Sequence, residues 1–216
     1  MGLTAAGWLA GTGYAATLLT LVVRAARPSS LGPADQVTLA RAVLVGGVVA
    51  LVAGHPHGGM PTAVFVSLTA VALSLDAVDG QVARRTGTVS PRGARFDMEV
   101  DAFLIFVLSA YAATFLGVWV LTIGVLRYAF VAAGWVLPWL CGPLTPSSAR
   151  KAVAAMQGVF LLVAVSGLVP YAVEPGVAGL ALAALGWSFG RDTRRLWLDR
   201  RGTDSKITTS AQAHHR

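Results

Sequence analysis

The chain has 216 residues, of which 55% are hydrophobic and only 12% are charged. Soluble domains carry about 25% charged residues, so this composition excludes an ordinary soluble protein and indicates a membrane protein. A net charge of +7 could suggest nucleic-acid binding. Because the basic residues lie in loops between apolar runs, as membrane topology requires, we expect no nucleic-acid partner.

Seven stretches of the chain are long and apolar enough to cross a bilayer, which takes roughly 20 residues per helix. The second is the least regular, since it begins in the polar segment "GPADQVTLAR". The sequence therefore predicts an all-α integral membrane protein. The predicted spans are 3–23, 36–54, 61–83, 97–118, 120–141, 150–169 and 172–190.

Basic residues fall on alternate sides of these spans. The loops at 55–59 and 170–175 carry no Lys or Arg. Since cytoplasmic loops are enriched in Lys and Arg, we expect the N-terminus outside the cell membrane and the C-terminus in the cytoplasm. The basic residues concerned are Arg24, Arg27, Arg84, Arg85, Arg92, Arg95, Arg150, Lys151, Arg191, Arg194, Arg195, Arg200 and Arg201.

The segment 75–103 holds five of the ten acidic residues, although most of the surrounding sequence is apolar. Asp76 and Asp79 are three residues apart, and Asp97 and Asp101 are four apart, so each pair shares one helical face. The intervening "TGTVSPRG" contains turn-forming residues and predicts a short reversal. We therefore expect two antiparallel helices to bring four aspartates together. Charged residues in membrane helices are costly and persist mainly where they have a function.

Four clustered carboxylates repel one another unless a cation intervenes, and such oxygen-rich sites suit Mg²⁺ or Mn²⁺. Two ions bridged by carboxylates form a clamp for phosphate chemistry. Gly80 and Ala83 leave room beside the first pair for a bulky ligand. In the alternative interpretation the aspartates only form ion pairs at the lipid interface. Their partners would then be Arg84, Arg85, Arg92 and Arg95.

Read in order, these residues resemble the signature of the CDP-alcohol phosphotransferases at every one of its eight positions. The signature positions are Asp76, Asp79, Gly80, Ala83, Arg84, Gly93, Asp97 and Asp101. The resemblance implies a six-helix membrane enzyme that moves a phosphoalcohol group from a CDP-linked donor to an acceptor hydroxyl and releases CMP. The six helices would occupy 31–190. Residues 1–30 would then form an additional N-terminal membrane helix with its linker, and 191–216 a basic cytoplasmic tail.

The same resemblance implies roles for individual residues. Asp76, Asp79, Asp97 and Asp101 would hold two divalent ions, and Asp101 would also be the general base. Asp79 or Asp97 as the base is an open alternative. Gly80, Ala83, Arg84 and Gly93 would lie near the nucleotide.

A second segment, Pro33 to Arg41, is similar to the one that precedes the first core helix of this family. Thr38 and Arg41 match, and the resemblance implies that Thr38 helps to bind the nucleotide. Asp35 departs from the Asn that is common at this place. Its alternative role is a favourable charge near a helix N-terminus.

Three basic residues are candidates for binding the acceptor: Arg127, Arg150 and Lys151. Arg127 lies well inside a predicted span, where an arginine indicates a functional site, an ion pair or snorkelling to the interface. Arg150 and Lys151 are also explained by the ordinary positive charge of a cytoplasmic loop. Glu99 points away from the face of Asp97 and Asp101, which indicates a surface or helix-pairing residue.

The sequence predicts a metal-dependent transferase of phospholipid biosynthesis. Its substrates would be a CDP-activated lipid, CDP-diacylglycerol, and a polar alcohol of unspecified identity. The first alternative is a transferase of the CDP-choline or CDP-ethanolamine type, in which the lipid is the acceptor. The second is a divalent-cation transporter. The resemblance also implies a homodimer surrounded by membrane lipids.

Overall fold

The structure, a computed structural model, describes residues 3–25, 33–56, 59–86, 91–141 and 148–213. Within these ranges the chain forms seven α-helices and no strand. Short 3-10 turns at Val118–Val120 and Pro138–Cys141 flank the fifth helix. The helices are α1 (Ala5–Ala25), α2 (Pro33–Gly54), α3 (Thr62–Thr86), α4 (Pro91–Leu116), α5 (Leu121–Val136), α6 (Ser148–Val165) and α7 (Glu174–Ala213).

Each predicted span corresponds to one helix, and the differences lie at the ends. The fourth helix begins at Pro91 rather than at 97, because proline is favoured in the first helical turn and the polar residues after it continue the helix. The fifth ends at Val136 rather than at 141, because Pro138 has no N–H to donate. The seventh, at 40 residues, continues from its apolar start into the basic tail.

Four helical segments in the described ranges are long and apolar enough to cross a membrane: Ala5–Arg24, Asp35–Gly54, Gly93–Leu116 and Val118–Val136. α3 and α6 contribute shorter apolar segments, Thr62–Asp76 and Ala152–Val165. These segments support an integral membrane protein.

The core of the bundle is formed mainly by α2, α3, α4, α6 and α7. α2 packs against α1, α3 and α4, while α4 also contacts α5 and α6. Phe65, Leu104, Leu108 and Leu161 are fully buried between these helices. Large hydrophobic side chains are also exposed on the outside of the bundle, Trp8 and Trp135 among them, as expected where lipid replaces water.

α4 and α5 are in close contact at Gly124. A Cβ atom at Gly124 would lie 2.3 Å from Oγ of Ser109 and 2.5 Å from Cα of Phe106. Between the two helices the chain turns at Gly117, whose φ of 103° lies in the region that favours glycine. The absence of a side chain at Gly124 therefore lets α5 lie directly against the helix that carries Asp97 and Asp101.

Candidate active site

Three of the four predicted aspartates come together where α3 and α4 lie side by side. Asp76 comes from α3, and Asp97 and Asp101 come from successive turns of α4. Each offers one carboxylate oxygen, and the three oxygens lie within 4.8 Å of one another. All three side chains are about one-third exposed, so the cluster is accessible from one side. The spacing pattern predicted that these aspartates lie close together, and their role as metal ligands stays a prediction.

A buried arginine from α2 binds all three carboxylates. Arg41 is only 1% exposed, and its Nη1 lies 2.9 Å from Oδ1 of Asp76. The same Nη1 donates a hydrogen bond to Oδ1 of Asp97, and Nη2 donates to Oδ1 of Asp101. Arg41 thus joins three helices at one point, since its partners lie on α3 and α4.

Sequence reasoning missed this role of Arg41. The alternative interpretation pairs the aspartates with the arginines of the α3–α4 region, which are closer to the aspartates in sequence than Arg41 is. A signal was present, because Arg41 lies within a predicted span, where an arginine is a candidate functional residue by default.

Acidic groups predominate among the described side chains of the cluster. These are three carboxylates and one guanidinium, which together carry two net negative charges and are partly shielded from water. An all-oxygen anionic donor set of this kind suits a hard divalent cation. The described residues therefore fit Mg²⁺ or Mn²⁺ in ligand type.

Thr38 lies one turn before Arg41 on α2. It is 3% exposed and is three residues before Arg41, so the two side chains share a helical face. Asp35 is three residues earlier again, in the first turn of α2, where a negative charge is favourable. Gly93 lies one turn before Asp97 on α4. The nucleotide-binding role assigned to Thr38 and Gly93 stays a prediction.

Several predicted site residues fall outside the part of the chain whose side chains are described. The backbone of α3 and α6 is helical at these positions, but their side chains are not among those described. Their roles as ligands or substrate-binding groups stay predictions. They are Asp79, Gly80, Ala83, Arg84, Arg150 and Lys151.

Arg127 forms an ion pair with Glu99. Nη2 of Arg127, on α5, donates to Oε1 of Glu99, on α4, at 2.7 Å. Glu99 lies between Asp97 and Asp101 in sequence, but it is 59% exposed and does not join their cluster. The interpretation of Glu99 as a helix-pairing residue agrees with this geometry. Whether Arg127 also contacts the acceptor stays a prediction.

Comparison with known proteins identifies the family. The family model described as CDP-alcohol phosphatidyltransferase matches residues 32–189. This range runs from the start of α2 into α7 and leaves α1 outside the match. Neither the curated proteins nor the solved structures include a significant match to the chain. Because the match covers well over half of the sequence and contains the three clustered aspartates, the chain belongs to the CDP-alcohol phosphatidyltransferase family.

Proposed function

We propose that this protein transfers a phosphatidyl group from CDP-diacylglycerol to the hydroxyl of a polar alcohol and releases CMP. The observation that carries the proposal is the set of three carboxylates from two helices, with their oxygens within 4.8 Å, on a bundle with an apolar exterior. A bond would form between the alcohol oxygen and the lipid-linked phosphorus. The bond from that phosphorus to CMP would break, and CMP would leave with the electron pair.

Asp76, Asp97 and Asp101, together with Asp79, are the residues that we propose to hold the metal, as two Mg²⁺ or Mn²⁺ ions. Bound divalent ions would neutralise the charge on the diphosphate and on the departing CMP. Arg41 would keep the three carboxylates converged on one point, because one buried guanidinium contacts each of them.

The proton of the attacking hydroxyl needs an acceptor within hydrogen-bond reach. We assign this role to Asp101, one turn beyond Asp97 on α4, and Asp79 or Asp97 is the alternative base. The hydrogen bond from Arg41 fixes the orientation of the Asp101 carboxylate, while its partial exposure leaves room for a substrate. A base held in this way is ready before the alcohol arrives, which reduces the reorganisation needed in the reaction.

The remaining assignments place the substrates around this centre. Thr38, Gly80, Ala83, Arg84 and Gly93 would contact the nucleotide. The acceptor would be a polar or phosphorylated alcohol, and the basic side chains of Arg127, Arg150 and Lys151 would bind it. The lipid tails would enter sideways between helices. From the positive charge of the loops we propose that the site and the C-terminus lie at the cytoplasmic face. We also propose a homodimer.

Two other functions make different predictions. In a transferase of the CDP-choline type the same cluster would act, but diacylglycerol would be the acceptor. A divalent-cation transporter would need carboxylates along a pathway through the bilayer. In the described part of the chain the metal-binding cluster is confined to one place on two helices, and a buried guanidinium lies in its centre.

The test is a transfer assay on the full-length protein purified in detergent. Labelled CDP-diacylglycerol is supplied with Mg²⁺ or Mn²⁺ and, in separate reactions, with glycerol 3-phosphate, inositol 1-phosphate, inositol or serine. We expect CMP release with one of these acceptors and none in excess chelator. A parallel reaction with CDP-choline and diacylglycerol tests the first rival. Failure of every acceptor to yield CMP in either metal would overturn the proposal.

A further inference from the structure

The N-terminal helix α1 lies outside the family match but packs tightly on α2. A Cβ atom at Gly7 would lie 2.7 Å from the carbonyl oxygen of Ala50 and 3.0 Å from Cα of Gly54. Oγ1 of Thr4 donates a hydrogen bond to the carbonyl oxygen of Gly54 at 3.1 Å. Small residues allow such close backbone contact between membrane helices. α1 is therefore packed against the bundle by a specific interface.

One side chain of α1 reaches beyond α2 to the helix that carries two of the aspartates. The ring of Tyr14 covers Gly46 on α2, where an added Cβ atom would lie 2.8 Å from Cδ1 of the ring. The ring also stacks on Phe103 of α4, with centroids 5.5 Å apart and planes inclined by 17°. Tyr14 is thus in contact with α2 and α4 at the same time.

These contacts lie close to the acidic cluster. Gly46 follows Arg41 by five residues, and Phe103 follows Asp101 by two, which correspond to about 7.5 Å and 3 Å along the helix axes. The hydrogen bonds from Arg41 to Asp97 and Asp101 link the same two helices, α2 and α4. An aromatic ring held in contact with both helices near this point limits how closely they can approach.

We propose that Tyr14 is a positioning residue that sets the spacing between α2 and α4 and thereby the geometry of the Arg41–aspartate cluster. In this proposal α1 contributes to catalysis through the position of α2 and α4, and it does more than anchor the chain in the membrane. The opposite face of α1 offers an internal comparison, because Leu19 on that helix is 64% exposed. The effect on catalysis rests on the proposed function, whereas the effect on helix spacing does not.

The experiment measures spacing and turnover on the same full-length variants. Spin labels are placed on cysteines at Val43 of α2 and Met98 of α4, which are 61% and 47% exposed, after Cys141→Ser removes the native thiol. Pulsed electron–electron double resonance gives the distribution of distances between the two spin labels. CMP release gives kcat and KM without labels. The variants are Tyr14→Ala, Tyr14→Phe and, as the matched control, Leu19→Ala.

We expect Tyr14→Ala to shift or broaden the distance distribution and to lower kcat roughly tenfold to hundredfold, since a misplacement of about 1 Å can cost that much. Tyr14→Phe and Leu19→Ala should match the wild type in both measurements, because the ring makes the contacts and Leu19 faces outward. An unchanged distribution in Tyr14→Ala, or equal shifts in Tyr14→Ala and Leu19→Ala, would refute the proposal.

A second perturbation keeps the test decisive if Tyr14→Ala does not fold. Gly46→Ala adds a methyl group against the ring and should shift the same distribution with Tyr14 present. An unshifted distribution in Gly46→Ala would refute the spacing role as well. If the wild type releases no CMP, the proposed transferase function fails, and the spin-label distances still decide whether Tyr14 sets the spacing.

Discussion

Replacing Arg41 with methionine tests the charge arrangement of the acidic cluster. Met fills a similar volume but cannot pair with Asp76, Asp97 and Asp101, whose nearest oxygens lie within 4.8 Å of one another. At that separation and an effective dielectric constant of about 20, each pair of unit charges repels by roughly 3.5 kcal/mol. Partial exposure of the carboxylates and their rearrangement reduce the net effect. Removing one member of a buried ion pair costs about 3 kcal/mol at the low end of the measured range.

We therefore expect Arg41→Met to be less stable than the wild type in excess chelator. For a chain of this size, a loss of about 3 kcal/mol corresponds to a fall of roughly 6–12 °C in Tm. Mn²⁺ should raise the Tm of the variant more than that of the wild type, because the ion no longer competes with a guanidinium for the same carboxylates. Turnover should fall even with saturating Mn²⁺, since the carboxylates lose their common anchor.

The assay is thermal unfolding in detergent, followed by tryptophan fluorescence with chelator and with increasing Mn²⁺. Arg95→Met is the matched control, because Arg95 is an exposed residue of the same region of α4 and its loss changes the net charge equally. Its Tm should stay within about 2 °C of the wild type. Equal melting of Arg41→Met and Arg95→Met in chelator, with equal Mn²⁺ shifts, would refute the ion-pair arrangement.

Three further predictions concern the same bundle. Asp101→Asn should abolish CMP release while leaving binding of CDP-diacylglycerol largely intact, and normal turnover would rule out Asp101 as the base. Arg127→Met should raise the KM for the acceptor but not for the CDP-lipid in the transfer assay, and equal changes in both would remove Arg127 from the acceptor site. Gly124→Ala should cost about 1–3 kcal/mol by overpacking α4 against α5. Gly186→Ala, where a Cβ atom meets nothing within 4 Å, should not lower the Tm and is the control.

The helices and the aspartate pairs could be predicted because their signals are local. An apolar run of sufficient length predicts a membrane helix, and a spacing of three or four residues places two side chains on one face. Helix ends were less accurate, since hydropathy alone does not register that Pro91 can begin a helix or that Pro138 interrupts one.

The central contacts of the site could not be predicted in this way. Arg41 is 56 residues from Asp97 and 60 from Asp101, and their meeting depends on how α2 packs against α4. Tyr14 and Phe103 are likewise brought together by tertiary packing alone. Periodicity within each helix indicates which face carries the charged residues. It carries no information about which residue of another helix contacts that face.

The exposure of the cluster argues for a site that binds a ligand over a purely structural ion pair. Burying charges is costly, and a structural pair is expected to shield all of its members from water. Here the guanidinium of Arg41 is buried, whereas the three carboxylates that it contacts are about one-third exposed. The carboxylates are therefore the members that a cation can reach from the open side. A divalent ion and its bound diphosphate would approach the cluster from that side.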